Sequence, residues 1–429
     1  MFQRLLHAAL GRLVVHGSLV VRHADGKHAR YGQAPGPRAA FRIRDAAATR
    51  RLVLNPALAF GELYMDGAIE PEGCTIGDVV EVLVLNQWKG GRHPVEGLLA
   101  LLRQARRRLD QLNPAARAKG NVARSARGKV VRSARDNVAH HYDLNGQLYA
   151  LFLDSDRQYS CAFFPTGSET LEEAQALKKR HIAAKLRLDR PGLEVLDVGC
   201  GWGGMALHLA RDWGCRVTGI TLSEEQLAEA RRRAAEAGLA DRVRFELMDY
   251  RAWDRPVDRI VSVGMFEHVG IGNYGTFFRT LHDALKPDGV ALVHAIGRAG
   301  GPCNTNPWLA KYIFPGGYSP ALSEVVPAIE RSGLWMTDLE ILRLHYAFTI
   351  AEWRRRFAAN RAAIAALYDE RFCRMFEFYL AGCEYTFRHG DHMNWQVQLT
   401  RSKHALPLTR DWMAEAERAP HPALRVAAE

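Results

Sequence analysis

The sequence predicts an α/β protein built on a doubly wound, mostly parallel sheet, with a smaller α+β domain ahead of it. Three observations carry that expectation. From about residue 138, short apolar runs alternate with helical stretches, the pattern of strands joined by crossover helices. The first of those runs, 193–199, ends in a glycine-rich turn. Residues 1–100 divide differently, into alternating or apolar pieces separated by Asp25-Gly26 and Pro35-Gly36-Pro37.

Taken in order, Phe2, Leu5, Leu6, Ala9, Leu10 and Leu13 fall at helical spacing with Arg4, His7 and Arg12 between them. Such an amphipathic helix lies on a membrane or, more often, packs onto its own domain. The pieces LVVHGSLVV, AAFRIRD and RLVLN follow, then FGELYMDGAIE and the helical TIGDVVEVLVLNQW. Residues 101–137 read as a basic linker with some helix, and 138–429 as the main domain. There, Thr170 and Glu173 form a capping box that opens a helix to about Leu188. Strand 193–199, a helix through Trp213, strand 215–220 and a helix opened by Ser223 come next. Strands 242–248 and 257–263, a helix near 274–285 and strand 289–296 complete the alternation. A Thr349–Glu352 capping box predicts a helix to about Arg388, and HMNWQVQLT (392–400) a last strand.

The chain has 429 residues, 48% hydrophobic and 24% charged, ample for sizeable cores and unlike a disordered, collagen-like or disulfide-stapled chain. No uninterrupted apolar run reaches 18 residues, and the N-terminus lacks the features of a signal peptide. The seven cysteines form no C-x-x-C pair, so neither a disulfide framework nor a metal site is expected, and the chain reads as reduced and cytoplasmic. The formal charge of +11 is concentrated: Arg103 to Arg135 holds 11 Lys/Arg against the single acid Asp110. A segment of this kind serves an anionic membrane, nucleic acid or nothing beyond solvation. It contains no stacking aromatics, which argues against single-stranded nucleic acid.

The chemistry concentrates in VLDVGCGWGG (195–204), where a buried strand enters a turn with Gly199, Gly201, Gly203 and Gly204. Glycines there let the backbone approach a ligand, and Asp197 is placed to orient the loop or meet an ammonium group. Gly203 follows Gly201 by two residues, which departs from the dinucleotide spacing. The stretch Glu194–Gly201 instead resembles motif I of the S-adenosylmethionine-dependent methyltransferases. No acid for ribose hydroxyls stands at the end of the second strand. Ser223 and Gln226 either make a capping box there, or Thr221 and Gln226 line the ribose. Asp249 and Tyr250 stand where an adenine-contacting acid and a flanking aromatic are expected.

Further pieces agree in order: HHYDLNGQLYALFLD (140–154), YSCAFF (159–164), GITLSEEQ (219–226), VDRIVSVGMFEHVG (257–270), LVHAIG (292–297), YIFPGG (312–317), HYAFTIAEW (345–353) and YLAGCEYTFR (379–388). With the glycine loop, these resemble the cyclopropane-fatty-acid synthases and related mycolic-acid and fatty-acid methyltransferases over about 250 residues. FGELYMDG (60–67) looks like part of the extra N-terminal domain of the bacterial synthases.

The resemblance implies a seven-stranded methyltransferase sheet and methyl transfer from S-adenosylmethionine to the cis double bond of a phospholipid acyl chain. Carried over by position, the cofactor site comprises Tyr159, Ser160, Asp197, Gly199, Gly201, Thr221, Gln226, Asp249 and Tyr250. A bicarbonate ion is implied at Cys161, Glu267, His294, Ile296 and Tyr346, with Cys161 and Ile296 giving backbone groups. An alkene is a poor nucleophile, so the sulfonium must be desolvated and in line with it. Aromatic faces then stabilise the resulting cation, with Tyr142, Phe163, Tyr318 and Tyr346 as candidates. Cys383 matches a family cysteine regarded as catalytic, although no step needs a thiolate. Each residue also has a structural reading: Glu267 as a cap, His294 as a satisfied core histidine, Tyr346 as core. The resemblance further implies a homodimer at the inner face of the membrane, held to unsaturated phospholipid and an anionic surface, with no nucleic-acid partner. Other outcomes are a methylene- or methyl-branched chain, or a non-catalytic lipid- or nucleic-acid-binding protein on the same fold.

Overall fold

A computed structural model describes residues 1–33, 35–89 and 146–419; the basic segment 103–135 and Tyr142 lie outside the described residues. The described chain divides into two units, neither continuous in sequence. One comprises 1–89, 304–315 and 347–391; the other comprises 146–303, 316–346 and 392–419.

In the first unit, β1 (Ser18–Arg22) pairs antiparallel with β2 (His28–Tyr31) and parallel with β3 (Arg38–Ile43). β4 (Ile69–Pro71) closes the sheet against β3. Alternation sends Leu19, Val21, Phe41 and Ile43 inward, where the N-terminal helix Phe2–Leu13 adds Leu6 and Leu10. That helix therefore packs onto its own unit, with Leu5 left exposed. RLVLN falls in a helix, Ala46–Leu54, because Asp45 caps it by accepting from the Ala48 N–H at 2.7 Å.

The single helix expected from Thr349 to Arg388 is three: His345–Ala359, Arg361–Leu367 and Glu370–His389. Thr349 is fully buried inside the first of them, so it caps nothing. Asp369 starts the last by accepting from the Phe372 N–H at 2.6 Å. This helix adds Phe378, Ala381 and Tyr385 to the core formed with Leu63, Val79 and Val82.

The second unit carries seven strands in the order β10-β11-β9-β8-β5-β6-β7. They are β5 (Glu194–Val198), β6 (Arg216–Thr221), β7 (Val243–Leu247), β8 (Val257–Val263), β9 (Leu285–Arg298), β10 (Trp335–Leu342) and β11 (His392–Thr400). β5 to β9 run parallel, and β11 lies antiparallel between β9 and β10. Chain order reverses between β5 and β8, so a cleft opens at the carboxyl ends of the strands beside β5. One face packs Phe266, Phe277, Phe278 and Trp395, and the other packs Leu209, Trp213 and Phe245. Along β11, Trp395, Val397 and Leu399 enter the first of these cores. The alternating Asn394, Gln396 and Gln398 are just as buried on the opposite face.

Buried Asn86 holds the exit of the N-terminal helix. Its Oδ1 accepts from the N–H groups of Val15 and His16, both at 2.7 Å, and its Nδ2 donates to the carbonyls of His16 and Val82 at 2.8 Å. Leucine there would strand two backbone N–H groups. Asn86→Leu is expected to lower stability by about 2–4 kcal/mol, measured by urea unfolding.

Candidate active site

The loop after β5 is shaped by backbone approach. Gly199 has φ +81°, and a Cβ there would lie 2.7 Å from the side chain of Met265. Gly201 has φ +52°, and a Cβ would meet nothing within 4 Å, so this turn borders open space. Asp197, at the end of β5, is buried, and its Oδ2 has no hydrogen-bond partner among the described residues. Burial pushes its carboxyl up to about 7, against the pull of the Lys178 ammonium.

Facing this loop is the turn 154–160. Asp154 accepts from the N–H groups of Asp156 at 3.0 Å and Gln158 at 2.8 Å, and Asp156 pairs with Lys179 and Arg233. Lys178, on the helix Leu171–Lys185, is fully buried beneath it. Its Nζ donates to Gln158 Oε1 at 2.7 Å and Ser160 Oγ at 2.8 Å, and burial brings its pKa down to about 8. Gln175 Nε2 donates to the carbonyl of Ser160 at 3.0 Å. Tyr159 meets Tyr149 edge-on at 5.2 Å, and Tyr149 lies 5.8 Å from Trp202 of the glycine loop. Cys161 is buried with its thiol turned to the Ala162 carbonyl.

At the end of β6, Thr221 Oγ1 donates to Gln226 Oε1 at 3.0 Å, while Ser223 Oγ accepts from the Gln226 N–H at 3.3 Å. Ser223 is thus the helix cap, and the carboxamide of Gln226 turns to Thr221. Asp249 receives Arg251 on both oxygens, and Tyr250 packs edge-on against Phe277 at 5.3 Å.

A second cluster lies across β8, β9 and β11. Glu267 sits in the tight turn Phe266–His268 that follows β8. Its Oε1 accepts from the Ile296 N–H at 2.6 Å, and its Oε2 is buried without a partner among the described residues. Burial pushes this carboxyl up to about 7 and the neighbouring His268 down to about 4. His294, on β9, stands directly opposite Gln396 on β11. Gln396 Nε2 lies 3.1 Å from His294 Nδ1, and the Asn394 carboxamide lies 3.4 Å from His294 Nε2. Burial drives His294 well below its ordinary value, so the ring is neutral. Tyr346 is the second residue of the helix His345–Ala359 and is buried. Phe163 stacks on His181 at 4.1 Å and on His345 at 5.0 Å, which takes its ring faces out of play for a cation.

The second unit thus brings Tyr159, Ser160 and Asp197 to the glycine loop, and Glu267, His294 and Ile296 together at β9. Cys383 belongs to the first unit, on the helix Glu370–His389, where burial pushes its thiol up to about 12 and keeps it protonated at neutral pH. Sequence reasoning passed over Lys178, Lys185, Asn394 and Gln396. Two signals were available: lysines seven apart on one helix face, and the Asn-x-Gln-x-Gln alternation in an otherwise apolar strand.

Residues 130–397 match the family described as mycolic acid cyclopropane synthetase, and residues 6–89 match a domain of unknown function. The chain is 38% identical over 370 residues to the cyclopropane-fatty-acyl-phospholipid synthase of Escherichia coli K12, covering 86% of this chain and 89% of that protein. Among solved structures, the cyclopropane synthase MmaA2 of Mycobacterium tuberculosis is 34% identical, with a TM-score of 0.59 over 62% of this chain and 97% of its own. Mycolic acid cyclopropane synthase CmaA1, solved with SAH and CTAB, matches at the same identity, TM-score and coverage. With a family match over residues 130–397 and 38% identity to the E. coli synthase over 370 residues, the chain belongs to the mycolic acid cyclopropane synthetase family.

Proposed function

We propose that this protein uses S-adenosylmethionine to convert the cis double bond of an unsaturated phospholipid acyl chain into a cyclopropane ring. The likeness to the E. coli phospholipid synthase carries this reading, because it spans 86% of the chain against the 62% spanned by MmaA2. It therefore reaches well into the N-terminal unit.

The residues present fit the two groups the reaction needs. Buried Asp197, with one oxygen unpartnered among the described residues, calls for a cation, which the ammonium of the methionyl part supplies. Ser160 accepts from Lys178, so its own proton is left for the methionyl carboxylate. Gly199 and Gly201 allow close approach, Thr221 and Gln226 face the ribose, and Tyr159, Asp249 and Tyr250 border the nucleoside. At the second cluster, Glu267 Oε2 is a buried acceptor with no partner among the described residues, and the buried His294 and Tyr346 are the donors that would share an ion with it. Bicarbonate, with one O–H and two acceptor oxygens, matches that set. Cys161 lines it, and Ile296 contributes by giving its N–H to Glu267. When bound, the sulfonium supplies the methyl group, and bicarbonate supplies the base for the proton lost on ring closure. The chain's own part is to desolvate both, hold them in line and keep His294 neutral. Cys383, a protonated thiol, takes no covalent part. The basic segment 103–135 docks the enzyme, as a homodimer, on the anionic inner face of the membrane.

Lipid analysis after incubation with S-adenosylmethionine and unsaturated phospholipid tests the reaction. High-field ring protons are expected in the magnetic resonance spectrum of the product, and new olefinic protons would indicate a methylene-branched chain instead. Glu267→Gln should lower turnover by roughly 10²–10³-fold, with S-adenosylmethionine affinity by calorimetry nearly unchanged.

The same variant has a stability signature. The folded carboxyl is raised from its ordinary 4.5 to about 7, so its favourable contribution is complete below pH 4.5 and lost as pH rises through 7. Glu267→Gln should flatten that part of the profile and melt higher than the parent at pH 8, read by thermal unfolding at pH 5 and pH 8. Binding to vesicles should rise with anionic lipid and fall with salt; equal binding to neutral vesicles would remove the electrostatic docking.

A further inference from the structure

We infer that Lys185 is a positioning residue: through the carboxamide of Gln396 it holds His294 as the neutral tautomer protonated on Nε2, so that the ring carries its N–H on the side facing Asn394 and has no free lone pair to act as a base. The role in turnover rests on the proposed function, whereas the tautomer follows from hydrogen-bond geometry alone.

Lys185 closes the helix Leu171–Lys185 and is buried. Its Nζ donates to Gln396 Oε1 at 2.7 Å and pairs with Glu340. An ammonium offers donors only, so the oxygen end of the Gln396 carboxamide must face it. Turned over, that amide would set N–H against N–H. Its Nε2 is thereby committed to His294 Nδ1 at 3.1 Å, and Nδ1 can only accept. This excludes the imidazolium as well as the Nδ1-protonated neutral ring, since both carry a proton where Gln396 donates. The remaining proton sits on Nε2.

Asn394 is placed with its Nδ2 toward His294 Nε2 at 3.4 Å. Two amide N–H groups cannot both donate to one neutral imidazole, and the contact fixed by Lys185 is the shorter of the two. The Asn394 amide is therefore the one to turn over, which brings its Oδ1, buried without a partner among the described residues, to Nε2–H. Lys185 cannot swing away to relax this arrangement. Glu340, its other partner, also binds His181 Nε2 at 2.7 Å, and His181 Nδ1 lies 3.1 Å from Glu417. Burial alone would lower His181, but its bonds to the two carboxylates raise it, so it stays a donor to both. Gln398 Nε2 adds a bond to the Lys185 carbonyl at 2.6 Å. A chain of fixed donors and acceptors thus runs from Glu417 to His294.

The test uses the full-length chain labelled with 15N-histidine, whose long-range 1H–15N correlations report each ring's tautomer; His294→Gln identifies the resonance among 17 histidines. In the parent, His294 is expected to be protonated on Nε2. Gln396→Glu places an acceptor against Nδ1 while keeping a partner for Lys185, so the proton should move to Nδ1. Turnover should then fall roughly 10²-fold with S-adenosylmethionine binding unchanged. Lys185→Met frees the Gln396 amide to turn and should give mixed tautomers, an independent reading should the first variant not fold. A parent protonated on Nδ1, or a tautomer indifferent to both substitutions, overturns the inference. A reversed tautomer with parental turnover overturns the tautomer's part in the reaction. If the parent forms no cyclopropane lipid from S-adenosylmethionine, the proposed function fails instead, and the tautomer result stands.

Discussion

Two ammonium groups buried on one helix set the terms for everything around the site. Lys178 and Lys185 lie seven residues apart on the helix Leu171–Lys185, on the same face, and both are withdrawn from water. Burying a charge of this kind costs several kcal/mol unless acceptors surround it with good geometry. The fold meets that demand twice, with different partners. Lys178 gathers Gln158 and Ser160 and so fixes the turn beside the glycine loop. Lys185 gathers Glu340 and Gln396 and so fixes the strand opposite His294. One rigid helix thereby sets the positions of both clusters.

Those clusters are electrostatic opposites built from the same group. Asp197 and Glu267 are both carboxyls raised to about 7 by burial, and each keeps one oxygen without a partner among the described residues. Around Asp197 the turn supplies a hydroxyl backed by an ammonium, a setting for a zwitterion. His268, next to Glu267 in sequence, and His294 on β9 are both held uncharged by burial.

Much of this was legible in sequence, and the limits are physical. The glycine loop, the strand ends and the Ser223 cap are local features, and their residues carry them wherever the chain goes. RLVLN misled because Asp45, just ahead of it, offers a cap that outweighs a short apolar run. Thr349 misled because a Thr-x-x-Glu pattern inside a helix looks the same as one at its start. The buried lysines were passed over because lysine is almost always exposed, and only tertiary partners reveal the exception. His294 meets its core reading: it is buried, with Gln396 at Nδ1 and Asn394 at Nε2.

The discontinuity of the first unit bears on the order in which the protein is completed. Its strands leave the ribosome early, yet Phe378, Ala381 and Tyr385 are part of their core. The second sheet waits at the same point, because β11 at 392–400 fills the gap between β9 and β10. The core of one unit and the sheet of the other therefore both wait for one short stretch, 370–400. Until it emerges, the growing chain presents an open apolar face in one unit and two unpaired strand edges in the other, so its dependence on chaperones should be concentrated in that interval.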